Sequence, residues 1–413
     1  MRLSHLVRHA RLRISSLGSG LISGASDNDP TTVATLAVIG ATTVYGLAWL
    51  VLLVIPMLAV VQTIAARIGV VSRRGLEDCI AVTYGRPLAL AALAAVLLVN
   101  IVTLAADLEG GSAALQLLTG VDYRWFIVPI AALTGATLVF ATYNAIARIL
   151  KYITLVFLAY VVTAFVSHPN WSAVARGSLV PHLEYTSAYV SGAIALLGTT
   201  LTSYAYVWET VETSVERPPL RRLGLVQVEA AVGIALAGAT FWFIVVATGA
   251  TLGIHHARIE TAQDAANALV PIAGRYAGIV FGAGLLGSAL IAIPVLAGTS
   301  AYVMAEAFGW RRSLDARFSH ARSFYVALLA SLAIGAAVAL VGIAPITLLY
   351  YSGIFGGIAT PFTLGLMMLI ARNGAIMNEY KLETTLTIAG WSVTAVVALA
   401  AAVYLYRTAT GAG

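Results

Sequence analysis

The chain has 413 residues, 60% of them hydrophobic and 10% charged, with mean hydropathy +0.90 and net charge +6. Soluble domains carry roughly one-quarter charged residues, so this composition excludes an ordinary soluble domain and indicates a polytopic α-helical membrane protein. The apolar runs are continuous and reach the ~20 residues that a spanning helix needs, which argues against a β-barrel with its short alternating strands.

Eleven spans can be drawn, over residues 18–41, 45–68, 87–118, 124–142, 148–168, 188–214, 222–251, 274–306, 322–342, 345–371 and 384–406. The basic residues orient them. With the N-terminus in the cytoplasm, 19 of the 24 lysines and arginines fall on the inner side. Only Arg124, Arg176, Arg258, Arg275 and Arg407 fall outside. That bias is the positive-inside pattern, so the expected topology is N-terminus cytoplasmic and C-terminus external, in a bacterial-type inner or plasma membrane. The net positive charge is therefore an orientation signal, and no nucleic-acid partner is expected. The first 16 residues are basic, and no cleavable signal peptide is evident. Cys79 is the single cysteine, which excludes an intrachain disulfide and a thiolate cluster.

Span 1 contains the segment Ser26-Asp27-Asn28-Asp29-Pro30-Thr31-Thr32. A carboxylate at bilayer depth costs at least ~2.5 kcal/mol, and such residues mark function by default. Proline removes a backbone donor, which hydrocarbon tolerates only where the freed groups line a protein cavity. Span 3 carries Asp107 and Glu109, candidates for a proton or cation pathway. Span 6 holds a second polar break, Gly198-Thr199-Thr200-Leu201-Thr202-Ser203-Tyr204, followed by Tyr206, Trp208, Glu209 and Glu212. Small residues also serve helix packing, so Gly198, Thr199 and Thr200 alone do not define a site. Glu209 is a candidate for the inner vestibule. Glu212 shares its face and is expected to pair with Arg217, Arg221 or Arg222.

Spans 1 and 6 hold the same position in two groups of five. An odd number of spans per group inverts one group relative to the other. Matched interruptions in inverted repeats point to a substrate site at the membrane midplane. The expected fold is all-α, a leucine-transporter-type 5+5 inverted repeat with an eleventh helix appended and helices 1 and 6 broken. Residues 1–168 form the first repeat with the N-terminal tail, 169–371 the second, and 372–413 the last helix and C-terminus, together one transport domain.

With those residues in view, the chain resembles the NRAMP divalent-metal transporters. Asp29-Pro30-Thr31-Thr32 is similar to the family's Asp-Pro-Gly-Asn signature in helix 1. Tyr45-Gly-Leu-Ala-Trp49, running on to Gln62 and Arg67-Ile-Gly69, is similar to helix 2. Ala105-Ala106-Asp107-Leu108 resembles the acidic segment of helix 3, and Ser352-Gly353 with Thr360-Pro361-Phe362 the pattern of helix 10. The resemblance implies a metal site on Asp29 and on the position of Thr32, which stands where the family has Asn. The helix 6 Met-Pro-His motif falls on Thr202-Ser203-Tyr204, so neither thioether nor imidazole remains. The helix 10 Gln falls on Gly353. The second acid of helix 3 falls on Gly110, with Glu109 one place earlier.

Loss of the soft Met ligand removes the feature that favours softer transition metals, whereas carboxylate, hydroxyl, carbonyl and water oxygens suit hard dications. The expected site is Asp29, Thr32, Thr202 and Tyr204 with carbonyls of Ser26 and Thr199. The expected substrate is Mg²⁺ or Mn²⁺, a divalent cation carried as cargo, with no resident cofactor. Tyr204, Tyr206, Trp208, Tyr350 and Tyr351 leave open an aromatic box for a small organic cation or amino acid, although helical spacing turns Tyr206 away from Tyr204 and Trp208. Loss of the imidazole and displacement of the second acid point to transport uncoupled from protons. The bilayer is the expected environment, the sequence leaves the oligomeric state open with a monomer plausible, and no enzyme motif can be placed.

Overall fold

The computed structural model describes residues 28–140, 158–255, 259–311, 314 and 318–411, and those residues are helices joined by short connections. The first part of the chain forms α1 (Pro30–Thr43), α2 (Ala48–Ser72), α3 (Leu76–Tyr84), α4 (Arg86–Thr119), α5 (Arg124–Phe140), α6 (Leu158–Val166) and α7 (Trp171–Leu179). Next come α8 (Ser187–Thr200), α9 (Ser203–Glu216), α10 (Leu223–Thr251), α11 (Ala262–Ala266) and α12 (Val270–Ala273). The chain closes with α13 (Ala277–Phe308), α14 (Arg322–Ala339), α15 (Pro345–Arg372), α16 (Gly374–Met377) and α17 (Thr384–Thr410).

Among the described residues, eight helical segments are long and apolar enough to cross a membrane, with α8 and α9 counted as one interrupted segment. The 17-residue α5 occupies the place of span 4. Spans 1 and 5 are represented by α1 and α6; residues 18–27 of span 1 and 148–157 of span 5 lie outside the described residues.

The helices pair by their place in the two groups of five. The matched pairs α1 with α8, α2 with α10, α4 with α13 and α5 with α14 each pack against one another. That arrangement is expected when two repeats are related by a pseudo-two-fold axis in the membrane plane. The fold is thus the leucine-transporter type. Two cores support it, one around α2, α10 and α15, the other around α4, α13 and α14.

Small residues set the closest approaches. A Cβ built on Gly198 of α8 would lie 1.9 Å from the Gly353 carbonyl oxygen and 2.1 Å from the Gly357 nitrogen, so α8 and α15 touch backbone to backbone. On α4, a Cβ at Gly110 would lie 2.8 Å from Cβ of Pro30. The absence of an acid at 110 therefore has a steric cause: the start of α1 occupies the space.

Candidate functional site

The site begins with the donors left over at the start of α1. Pro30 takes the first helical position, where its missing N–H costs nothing. The next two amides, of Thr31 and Thr32, have no partner within the helix and need acceptors. Asp29 is the N-cap in extended backbone, and its Oδ1 accepts from Thr32 N at 2.6 Å. Asp107 of α4 takes the other amide: its Oδ1 accepts from Thr31 N at 3.2 Å and from Thr31 Oγ1 at 2.8 Å. Two carboxylates from different helices therefore share one helix N-terminus, whose dipole favours negative charge. Both are buried, at 1% and 0% exposure.

The break in span 6 faces this pair. Helix α8 ends at Thr200, Leu201 and Thr202 are non-helical, and α9 starts at Ser203. Thr32 Oγ1 and Thr199 Oγ1 are hydrogen-bonded at 2.9 Å, which ties the start of α1 to the end of α8. Tyr204, in the first turn of α9, donates its hydroxyl to Asp29 Oδ2 at 2.8 Å. Thr202 caps α9 through extended backbone, and its side chain makes no capping bond. Around this centre lie the buried hydroxyl of Thr35, which has no hydrogen-bond partner, and a bond from Ser352 Oγ to Thr103 Oγ1 at 3.1 Å.

The structure thus brings together Asp29, Thr32, Thr199, Thr202 and Tyr204, and adds Asp107. Ser26 and Asp27 lie outside the described residues. Asp107 Oδ2 is buried without a hydrogen-bond partner, which leaves it available to a ligand. Asp29 is bonded at both oxygens, yet a carboxylate offers about four lone-pair sites, so neither bond excludes a cation. Among the described residues no three acid, histidine or cysteine side chains converge. The side-chain donor set assembled there is two carboxylates with the hydroxyls of Thr31, Thr32, Thr199 and Tyr204.

Several expected residues are placed elsewhere. Glu109, two positions from Asp107, is rotated by about 200° around α4. It is fully buried, and neither of its carboxyl oxygens has a hydrogen-bond partner. Glu209 is buried on α9, more than a turn beyond Tyr204. The expected pairing of Glu212 is not found, because among the described residues no ion pair joins it to Arg217, Arg221 or Arg222.

The aromatic box does not form either. Tyr206 turns away to bond Thr363 of α15, and Trp208 packs edge-on against Tyr302 of α13 with centroids 6.0 Å apart. Tyr350 and Tyr351 line a separate cavity of about 400 Å³ with Tyr404 and Arg407. Only Tyr204 reaches Asp29, and it does so with its hydroxyl. The residue missed from the sequence is Thr31, whose amide and hydroxyl join the two acids. Its signal was available, since the second position after an N-cap is a donor looking for an acceptor.

Comparison with known proteins bears on the family and the fold. The family model described as natural resistance-associated macrophage protein-like (Nramp) matches residues 20–407. A divalent metal cation transporter MntH from Deinococcus radiodurans is 27% identical over 407 residues, covering 94% of this chain and 89% of its own. A crystal structure of the Eremococcus coleocola manganese transporter, in complex with an aromatic bis-isothiourea substituted compound, superposes with a TM-score of 0.77. It is 16% identical and covers 97% of this chain and 87% of that one. MhsT in complex with L-phenylalanine superposes with a TM-score of 0.58 at 15% identity, covering 94% of this chain and 97% of that one. With its acid-capped helix start facing the break in span 6 and a family match across nearly its full length, the chain belongs to the Nramp family of membrane transporters.

Proposed function

We propose that this protein carries a hard divalent cation, Mg²⁺ or Mn²⁺, across the membrane by alternating access. The observation that carries this reading is the pair of buried carboxylates, Asp29 and Asp107, held on adjacent amides at the start of α1 beside the hydroxyls of Thr31, Thr32, Thr199 and Tyr204. Mg²⁺ sheds water reluctantly and is commonly held by one or two carboxylates plus waters, which matches a site of this donor count. Asp29, Asp107, Thr32, Thr199 and Thr202 would face the ion. The names of the relatives, a divalent metal cation transporter and a manganese transporter, support a divalent metal as the class of cargo. The all-oxygen donor set favours the hard end of that class.

Uncoupled transport is the second part of the reading. Tyr204 stands where the family places an imidazole, and Gly110 where it places the second acid of helix 3. A dication entering down a potential of ~100 mV, negative inside, gains about 4.6 kcal/mol, twice the ~2.3 kcal/mol per charge. That driving force suffices for uptake without a proton.

The test is flux into proteoliposomes. Mg²⁺ and Mn²⁺ should enter under a negative-inside potential, Asp29→Ala should abolish entry, and the lumen should not acidify as the ion enters. Binding of an amine or amino acid with no divalent cation bound would overturn the choice of cargo. Acidification during uptake would overturn the uncoupled reading alone.

A further inference from the structure

A second buried acid site lies outside the transmembrane spans. Helix α3 connects spans 2 and 3, at the end of the molecule that the arginine distribution assigns to the cytoplasm. Its Glu77 is 1% exposed, and neither carboxyl oxygen has a hydrogen-bond partner. A buried polar group left unpaired is costly, so its position calls for a reason.

Three elements meet there. Leu76 N, at the start of α3, donates to Thr210 Oγ1 of α9 at 3.1 Å. Asp78 N donates to Glu306 Oε2 of α13 at 3.4 Å. The carboxylate of Glu306 rests on Gly75, where a Cβ would lie 2.0 Å from Oε1. Glu306 therefore caps α3 from another helix, and only glycine at 75 lets it come so close. The first turn of α3 is thus pinned to α9, the inner half of the interrupted span 6, and to α13.

The charges that act on Glu77 are both negative. They are Glu306 from α13 and Asp78 from its own helix. From α9 the titratable neighbour is Tyr206. Arg73 and Arg74 at the end of α2, Arg86 at the start of α4 and Arg372 at the end of α15 form no ion pair with it among the described residues. Among the described residues no positive charge compensates an ionised Glu77, whereas a proton would.

We propose that Glu77 is a proton-binding site, occupied while α3 is seated against α9 and α13 and vacated when α3 lifts away, so that proton binding is linked to closure of this end of the transport path. Burial, and then the charges of Glu306 and Asp78, push its carboxyl up to about 8, whereas a water-exposed glutamate titrates near ~4.3. The sign follows from linkage. The seated state binds the proton more tightly, so it is favoured at low pH and loses ground as pH rises towards 8. Between pH 6 and pH 7 the lifted-to-seated ratio rises close to tenfold, ~10 per unit of pH for one proton.

Cys79, the one cysteine of the chain, supplies the readout, because it is fully buried two residues along the same helix. Its alkylation by N-ethylmaleimide would be followed from pH 6 to pH 8 in the full-length protein in liposomes. Thiolate formation alone adds a common pH dependence to every variant. Beyond that, the wild type should gain close to tenfold between pH 6 and pH 7 relative to Glu77→Gln. Glu306→Gln, which loosens the cap and keeps Glu77, should label faster at every pH and retain the extra dependence. If Glu77→Gln fails to fold, wild type and Glu306→Gln are compared with a free thiol. Profiles that follow the thiolate alone, in wild type or in parallel with Glu77→Gln, overturn the proposal. No transported ion is needed, so the result stands apart from the identity of the cargo.

Discussion

Gly198→Ala tests how the site is built. The added Cβ would lie 1.9 Å from the Gly353 carbonyl oxygen and 2.1 Å from the Gly357 nitrogen, whereas ordinary contact begins near 3.4 Å. The shortfall is 3.4 − 1.9 = 1.5 Å against the backbone of α15. Backbone cannot swing aside as a flexible side chain does, so α8 must move as a unit. Thr199 is the next residue, and its 2.9 Å bond to Thr32 does not survive a displacement of that size, since hydrogen bonds fail beyond ~3.5 Å. Overpacking costs ~1–3 kcal/mol of stability. The broken hydrogen bond adds ~1 kcal/mol to the cost of assembling the site, equivalent to about five-fold in cation affinity. Thermal melting in detergent and calorimetric titration of Mg²⁺ would measure the two effects. Gly365→Ala is the control, because no atom lies within 4 Å of a Cβ there. Wild-type melting and affinity in Gly198→Ala would refute the claim that contact between α8 and α15 positions Thr199.

Two further substitutions address the remaining acid and the missing soft ligand. Glu109 is fully buried with no hydrogen bond to either oxygen, so Glu109→Leu should leave melting unchanged or raise it, by ~1–3 kcal/mol of relieved desolvation. Loss of flux in that variant without loss of stability would place Glu109 on the ion or proton path instead. Thr202→Met restores a thioether where the family has one and should shift selectivity towards Mn²⁺ or Cd²⁺ over Mg²⁺ by roughly tenfold or more, read from competition in the flux assay. Unchanged selectivity would mean that residue 202 does not face the ion.

Composition and charge placement were enough to identify a polytopic helical bundle, because the cost of exposing polar backbone to lipid leaves few alternatives. The order of the spans and the matched interruptions at 26–32 and 198–204 carried the inverted-repeat fold and singled out Asp29, since an acid beside a proline at bilayer depth has no packing rationale. Side-chain direction was not legible at that level. Asp107 and Glu109 are two residues apart with the same chemistry, yet only Asp107 reaches the start of α1. Tyr204 and Tyr206 are equally aromatic, yet one bonds Asp29 and the other α15. A helix turns each side chain by about 100°, and which neighbour it meets depends on how the helices pack. Glu77 makes the same point from the opposite direction, as an acid in a connecting helix with no motif around it, whose burial only the packing of α3 shows. Local chemistry along the chain determined which residues could form a site. Only the meeting of α1, α4 and α9 decided which of them did, because the donors freed at a helix start take the acceptor that the tertiary packing places in front of them.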